Sequence, residues 1–462
     1  MKIQFKRTDM GAALLAVFCC MIIQLLILGC RDGGMLHFES LFFFMNYLDG
    51  RTLWAQVMDP FNNDWNFYQA RELSYFFDAL DARFVAFLLK KKIVWFHSLC
   101  SLLCCGGMVF IQHYFTRKFF PSVPGILVTL ISVFFVLSGT VTGLDYFRCA
   151  KYLTALGLWG ALFSGFAAFR YGSVKSKVFL VLSLLLMTLS DRQGFFFTAA
   201  FAGTGAVLMA YQSWCSAKVF SDRMRFIVLA SLAVTCFGIV NNLYLTPLLI
   251  HITHDYTPDF AYQRDFQISF TSIKNGLLFL FANGGNWFSN YSASPYIPAL
   301  TGGLLTCGLA LELCCRFRHG KRAWIFPALL WGCALGAMIV CASAMVARHP
   351  MIMLKDVLFG TYAINFLTIT LFLLTLTVAG GKKRFSVIVT LLVALAICLR
   401  IGGEAADGKF GPGSSSFKGY YSRQEILKES LRKPGFDETE HCIPHRMELF
   451  LEFCRKNILT KP

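Results

Sequence analysis

Charged residues are scarce in this chain of 462 residues: Asp, Glu, Lys and Arg together make up 15%, whereas hydrophobic residues make up 56%. An ordinary soluble domain carries about 25% charged residues, so this composition excludes that class of protein. The mean hydropathy is positive, at +0.57. We therefore predict an all-α protein that crosses a membrane many times.

Several motifs of soluble chemistry are also missing. The sequence has no Gly-rich phosphate loop of the Walker type, no dinucleotide-binding Gly motif after a strand and no His-Glu-x-x-His zinc motif. Disulfide-framework proteins are excluded as well, because most of the 17 cysteines lie in apolar segments, where a thiol behaves as a small hydrophobic group. The net charge of +17 does not indicate nucleic acid, since many basic residues lie in short loops between apolar segments.

Windows of about 17 to 25 mostly apolar residues predict about eleven membrane-spanning helices. The predicted spans are residues 10–30, 94–114, 121–143, 152–170, 177–190, 194–212, 225–248, 298–315, 323–346, 357–379 and 385–401. Residues 272–288 are apolar too, but they contain Lys274 and Asn283. This segment is predicted to be re-entrant or interfacial.

The basic loops predict the orientation. With a cytoplasmic N-terminus, every short basic loop falls on the cytoplasmic side, including those with Arg117 and Lys118 and with residues 382–384. A transmembrane domain of residues 1–401 then has two large outer segments, 31–93 and 248–298, and an outer tail, 402–462. A bacterial inner membrane with a periplasmic site is favoured, and an endoplasmic reticulum membrane satisfies the same physics.

Three groups of charged residues lie at the non-cytoplasmic ends of predicted spans. They are Asn63-Asp64-Trp65 with Arg71-Glu72-Leu73, Asp145 with Arg148, and Ser190-Asp191-Arg192-Gln193-Gly194. Charges at such depths are costly unless they act on something or pair with something. The groups therefore predict a lipid-linked substrate site, in which Asp64, Arg71, Asp145 and Asp191 contact the substrate.

A helix through residues 71–82 would align Arg71, Asp78 and Asp81 on neighbouring turns of one face. Asp78 is counted among the substrate-binding residues on this basis. The alternative is a structural ion-pair network between the outer segment and the spans.

The predicted general base is Glu39, which follows the first span by a few residues. A carboxylate there could take a proton from an acceptor hydroxyl while a membrane-anchored donor approaches from the lipid. Asp32 is the second candidate, although Arg31 beside it and the following glycines favour a turn.

A phosphate-bearing lipid requires cations at the same surface. Six residues are available: Arg148, Lys151, Arg192, Arg348, His349 and Lys355. Arg348 stands out because it ends a long apolar span and is followed by His349, Pro350 and Lys355. Simple snorkelling of terminal cations to the interface is the alternative.

At these motifs the sequence resembles the GT-C superfamily of integral-membrane glycosyltransferases, in particular the branch similar to protein O-mannosyltransferases with tetratricopeptide tails. That branch has an acidic motif after the first span, then Asn-Asp-Phe-Trp, Tyr-Arg-Pro-Leu, and Ser-Lys-Glu-x-Gly at the sixth span. The corresponding stretches are His37-Phe38-Glu39, Asn63-Asp64-Trp65, Tyr68-Gln69-Ala70-Arg71-Glu72-Leu73 and Ser190-Asp191-Arg192-Gln193-Gly194. The order agrees over roughly residues 1–210, whereas the acidic pair is a single Glu, Glu72 replaces Pro, and no tetratricopeptide array follows.

The resemblance implies transfer of a sugar from a polyprenyl-phosphate carrier to a hydroxyl of a glycan, lipid or protein acceptor, with inversion, outside the cytoplasm. Glu39 would be the base, and Arg148, Arg192 and Arg348 would hold the lipid phosphate. Some superfamily members need a divalent metal such as Mg²⁺ or Mn²⁺, for which no ligands are assigned here.

Two other functions are compatible with many spans and polar ends. A transporter or lipid flippase would carry ionisable residues near the membrane midplane, often in repeated halves, and neither feature is present in the sequence. An assembly protein that keeps the fold without catalysis is the second alternative, because the motifs are altered.

Overall fold

The computed structural model describes residues 7–30, 44–58, 71–93, 95, 98–137, 149–214, 222–254, 269–285, 303–304, 306–312, 325–348, 360–381, 383–406 and 445–459. Every regular element in these ranges is a helix, and they contain no strand. The predicted all-α fold is therefore confirmed.

The helices lie in the segments that the apolar pattern indicates, and further helices occur within residues 31–93 and 248–298 and in the tail. In chain order they are α1 (Arg7–Cys30), α2 (Leu53–Met58), α3 (Glu72–Lys90), α4 (Leu99–Phe119), α5 (Gly125–Phe135), α6 (Ala150–Tyr171), α7 (Val174–Ser190), α8 (Arg192–Trp214), α9 (Asp222–Val240), α10 (Thr246–His254), α11 (Phe270–Gly285), α12 (Ile325–Arg348), α13 (Gly360–Ala379), α14 (Lys383–Ala406) and α15 (His445–Cys454). Helix α4 begins later than predicted, at Leu99, because the Ser98 hydroxyl caps it by accepting a hydrogen bond from the Ser101 N–H at 3.0 Å.

Three helices in the described ranges are long and apolar enough to cross a membrane: Leu99–Phe119, Ala150–Tyr171 and Asp222–Thr253. Shorter apolar helices accompany them at Asp9–Leu25, Gly125–Phe135, Trp331–Ala344 and Leu367–Ala379. Since a span needs about 20 apolar residues, these three are the candidate spans. They are compatible with a membrane protein.

Helices α6 and α7 form a closely packed antiparallel pair. The turn between them uses Gly172 in the left-handed region, with φ at 67°, and its N–H donates to the Ala168 carbonyl. Gly157 of α6 lies directly against α7, where an added Cβ would be 2.9 Å from the Ser183 carbonyl oxygen. Small residues at such contacts let two helix backbones approach, which is typical of helices in membranes.

The main core draws buried residues from helices α4 to α9 and α11 to α14, and an aromatic part of it lies between α6 and α13. The rings of Trp159 and Phe163 stack at 5.7 Å, and the Phe372 ring meets Phe163 edge-on at 5.4 Å. All three side chains are fully buried. This packing fixes α6, which carries Lys151 at its first turn.

A second apolar cluster joins α3 to the C-terminal helix, α15. Tyr75 and Val85 of α3 are buried in it together with Ile250 of α10 and Phe450 of α15. The end of the tail therefore packs on α3, and both lie against α10.

One helix runs from the main helical core into this cluster. Helices α9 and α10 are continuous through a π-helical turn, Asn241–Leu245, and together extend from Asp222 to His254. At 1.5 Å per residue this helix is about 50 Å long, whereas the hydrocarbon core of a bilayer is about 30 Å thick. Its far end thus reaches beyond the predicted span of residues 225–248.

Candidate functional site

Asp191 is the centre of a buried charged cluster between α7 and α8. Its Oδ1 lies 2.8 Å from Nζ of Lys151, and its Oδ2 lies 3.5 Å from Nε of Arg71. The Asp191 side chain is 1% exposed, against 17% for Arg71 and 11% for Lys151. Two predicted motifs, separated by more than a hundred residues in sequence, therefore meet at one carboxylate.

Local helix capping explains the position of Asp191. Helix α7 ends at Ser190, and Asp191 is extended, with φ −162° and ψ 151°. Helix α8 begins at the next residue, and the Asp191 carboxylate accepts a hydrogen bond from the Gln193 N–H at 2.8 Å. Aspartate is among the preferred residues at this position, because its side-chain oxygen accepts a hydrogen bond from a free N–H of the first turn. Its negative charge is also stabilised by the positive end of the helix dipole.

Gly194 of the same motif is needed for the turn between α7 and α8. A Cβ at residue 194 would overlap the Met187 carbonyl group, which belongs to the backbone of α7. The two helices can follow each other across a single residue because this side chain is absent. The glycine in the motif thus has a packing role.

The two cations control the charge state of Asp191. Burial alone would raise the pKa of its carboxyl, but Arg71 and then Lys151 hold the pKa below its ordinary value. The carboxylate therefore stays ionised at neutral pH. Buried ion pairs are expensive to desolvate, so such a cluster requires close partners.

A pair of buried amides extends this cluster toward the C-terminal helices. Gln193 Oε1 accepts a hydrogen bond from Asn365 Nδ2 of α13 at 2.7 Å, and Gln193 Nε2 lies 3.5 Å from Met338 Sδ of α12. Both amide side chains are buried. Helices α12 and α13 are thereby connected to the turn that contains Asp191.

Asp78 and Asp81 hold the starts of two other helices. Asp78 Oδ1 accepts a hydrogen bond from the Cys149 N–H at 2.8 Å, directly before α6. Asp81 accepts from the Ser98 hydroxyl at 2.5 Å and from the Cys100 N–H at 3.0 Å, in the first turn of α4. These contacts support the architectural alternative for both carboxylates, in the form of helix caps instead of ion pairs.

Burial raises the pKa of both carboxyl groups, to about 7 for Asp81 and well above the ordinary value for Asp78. A carboxyl whose pKa is raised by folding stabilises the fold at low pH, below its unfolded pKa of about 3.9. That contribution is lost as the pH rises through the folded pKa, which for Asp81 is about 7. The ionised Asp191 has the opposite pH dependence, because folding lowers its pKa. Its contribution to stability is present at neutral pH and is lost as the pH falls below about 4.

We therefore expect the purified protein to unfold at a temperature a few degrees lower at pH 8 than at pH 5.5. Asp81→Asn cannot ionise and should reduce this difference, whereas the exposed Asp222→Asn should leave it unchanged. The measurement is thermal unfolding in detergent at both pH values. An Asp81→Asn variant with the full wild-type difference would contradict the assignment.

Most of the other predicted site residues lie outside the described residues. These are Asp32, Glu39, Asp64, Asp145, Arg148, His349 and Lys355. Arg348 is the last residue of α12, but its side chain is likewise not described. Arg192 is the first residue of α8 and is half-buried.

Three contributors to the cluster were not assigned to the site from sequence. Lys151 was only one of six available cations, but it follows Arg148 by three residues and so continues that motif. Gln193 belongs to a predicted motif, but the sequence indicates no role for it. Asn365 could have been found as an isolated amide within a predicted span, since polar groups there usually have a partner or a function.

No three His, Cys, Asp or Glu side chains converge in a metal-binding arrangement within the part of the chain that the structure describes. No metal is assigned to this site.

No protein-family model matches the chain, and no curated protein matches it either.

Proposed function

We propose that the protein transfers a sugar from a polyprenyl-phosphate carrier to an acceptor hydroxyl on the non-cytoplasmic face of a membrane. The observation that carries the proposal is the meeting of Arg71, Lys151 and Asp191. The sequence motifs around these residues were each expected at the same membrane face. Their convergence is what a single substrate site requires.

The charge and exposure of the cluster suit a lipid phosphate. Arg71 is the most exposed member and lies at the start of α3, where it can reach a ligand while its guanidinium stays near Asp191. An arginine binds phosphate through a planar set of donors, and Lys151 adds a second positive charge. Asp191 would keep both cations in place before the substrate arrives.

The proposed reaction is a single displacement at the anomeric carbon. Glu39 would take the proton of the acceptor hydroxyl, and the oxygen would form a bond to that carbon as the bond to the phosphate oxygen breaks. The electron pair of the broken bond stays on the departing polyprenyl phosphate. Arg71, Lys151 and, by the resemblance, Arg148, Arg192 and Arg348 would neutralise this charge.

The proposed frame has about eleven spans, a cytoplasmic N-terminus and a site in the bacterial periplasm. The α3 segment, α10 and the C-terminal helix would then form a cap over the outer face. The clustering of Tyr75, Ile250 and Phe450 supports placing all three elements on one side.

An assembly protein without catalysis is the second candidate. One observation favours it: Asp191 is fully buried, with its charge matched by cations from two other helices, as in a purely structural ion pair. This candidate predicts loss of stability, but no donor dependence, when the cluster is changed.

An assay of radiolabelled sugar transfer by the purified protein in liposomes distinguishes the glycosyltransferase from the assembly protein. The wild type should move the label from a polyprenyl phosphate to an acceptor extract, and Lys151→Met should lower kcat/KM for the donor about 100-fold or more. Lys175→Met is the matched control, because Lys175 is exposed at the opposite end of α7. Absence of transfer by the wild type, or equal rates in both variants, would count against the proposal.

A further inference from the structure

A polar contact joins the first turn of α3 to the long helix beside the charged cluster. Glu72 Oε1 accepts one hydrogen bond from the Thr246 hydroxyl at 2.5 Å and another from Asn241 Nδ2 at 3.2 Å. Glu72 is the residue after Arg71, whose guanidinium approaches Asp191. The contact thus lies one residue from the proposed phosphate site.

Both donors depend on the π-helical turn. Asn241 opens this turn and Thr246 follows it, with the Thr246 N–H bonded to the Asn241 carbonyl. In a regular α-helix, residues five apart point about 140° away from each other, so they could not both face one carboxylate. The π-helical turn brings them to the same side, and such turns are rare and occur frequently at functional sites.

The surroundings make this contact costly to lose. Thr246 is 1% exposed, and burial raises the pKa of the Glu72 carboxyl, an effect that the two hydrogen bonds oppose. Next to the donors, Leu243 and Tyr244 point outward from the helix and do not take part. Because the Glu72 carboxyl group is part-buried, each of its hydrogen bonds counts.

We infer that Glu72 is a positioning residue, which fixes the first turn of α3 on the long helix and so sets the Arg71 guanidinium against Asp191. The effect of Glu72 on catalysis rests on the proposed function. The mechanical connection from the π-helical turn to the Asp191 turn is independent of that function. Arg71 touches the substrate in this account, and Glu72 acts only through Arg71.

Two measurements on Glu72→Ala, Glu72→Gln and the control Asn242→Ala test this role. Asn242 lies in the same π-helical turn but donates to the Gly238 carbonyl of its own helix. Hydrogen–deuterium exchange of the purified protein should increase in Glu72→Ala at residues 72–75 and also at 187–195. Glu72→Gln keeps the acceptor oxygen and should restore protection at both segments, and Asn242→Ala should leave both protected.

In the transfer assay, Glu72→Ala should raise the donor KM about tenfold while kcat changes less than about threefold, as expected for a lost hydrogen bond that orients a binding residue. Glu72→Gln should stay within about threefold of the wild-type KM. Unchanged exchange at 187–195 in Glu72→Ala, an unchanged KM, or a Glu72→Gln as defective as Glu72→Ala would each overturn the role. If the wild type transfers no sugar, the proposed function fails, and the exchange data alone decide the positioning role.

Discussion

Asp191→Ala is expected to destabilise the protein by about 3 to 5 kcal/mol and to abolish sugar transfer. The physical reason is that the substitution leaves Arg71 and Lys151 without the carboxylate that both approach, in a site where Asp191 itself is 1% exposed. Thermal unfolding in detergent should show a decrease of roughly 5 °C or more. The same change removes the cap of α8, which adds to the loss.

Two variants make this expectation specific. Asp222→Ala removes an exposed carboxylate, 3.5 Å from Arg225 in the first turn of α9, and should leave the unfolding temperature unchanged. Adding Lys151→Met to Asp191→Ala should recover part of the lost stability. The double variant no longer contains the buried Lys151 charge, which the single variant leaves without its carboxylate. If Asp191→Ala unfolds at the same temperature as Asp222→Ala, the cluster does not hold the turn together.

Gly194→Ala is expected to have the second largest effect. The new methyl group would overlap the Met187 carbonyl, and a backbone group cannot move aside as the end of a flexible side chain can. Overpacking of this kind costs about 1 to 3 kcal/mol or more. Since the displaced turn contains Asp191, transfer activity should fall with stability, and both are measured on the purified variant.

Gly203→Ala provides the matched control in the same helix. Gly203 is exposed, and a Cβ there would meet no atom within 4 Å. Alanine is a better helix former by about 1 kcal/mol, so this variant should be as stable as the wild type or slightly more stable. Equal behaviour of the two glycine variants would show that α7 and α8 can separate without harm to the site.

The sequence predicted the helical fold and the pairing of distant motifs better than it predicted the role of single carboxylates. Apolar windows are sufficient to locate helices, since the signal is averaged over many residues. Arg71 and Asp191 were expected at one membrane face from their positions alone, and the structure brings them to 3.5 Å.

The capping roles could not be predicted in the same way. Asp78 and Asp81 lie on one face of α3, as expected, but their partners are backbone N–H groups at the starts of α6 and α4. Every helix start offers such donors, so only the tertiary arrangement shows which ones a carboxylate meets. The π-helical turn at Asn241–Leu245 is likewise absent from any apolar pattern, and its contact with Glu72 of another helix appears only in the tertiary structure.

The most direct test of sugar transfer is mass spectrometry of lipid-linked and surface glycans from cells with the wild-type gene, a deletion, or Glu39→Gln at matched protein levels. The account predicts a glycan that lacks one sugar in both the deletion and the Glu39→Gln cells, with the missing sugar and its acceptor read from the mass. A deletion that changes the glycan while Glu39→Gln does not would contradict the choice of base. Identical glycans in all three would contradict the transferase itself.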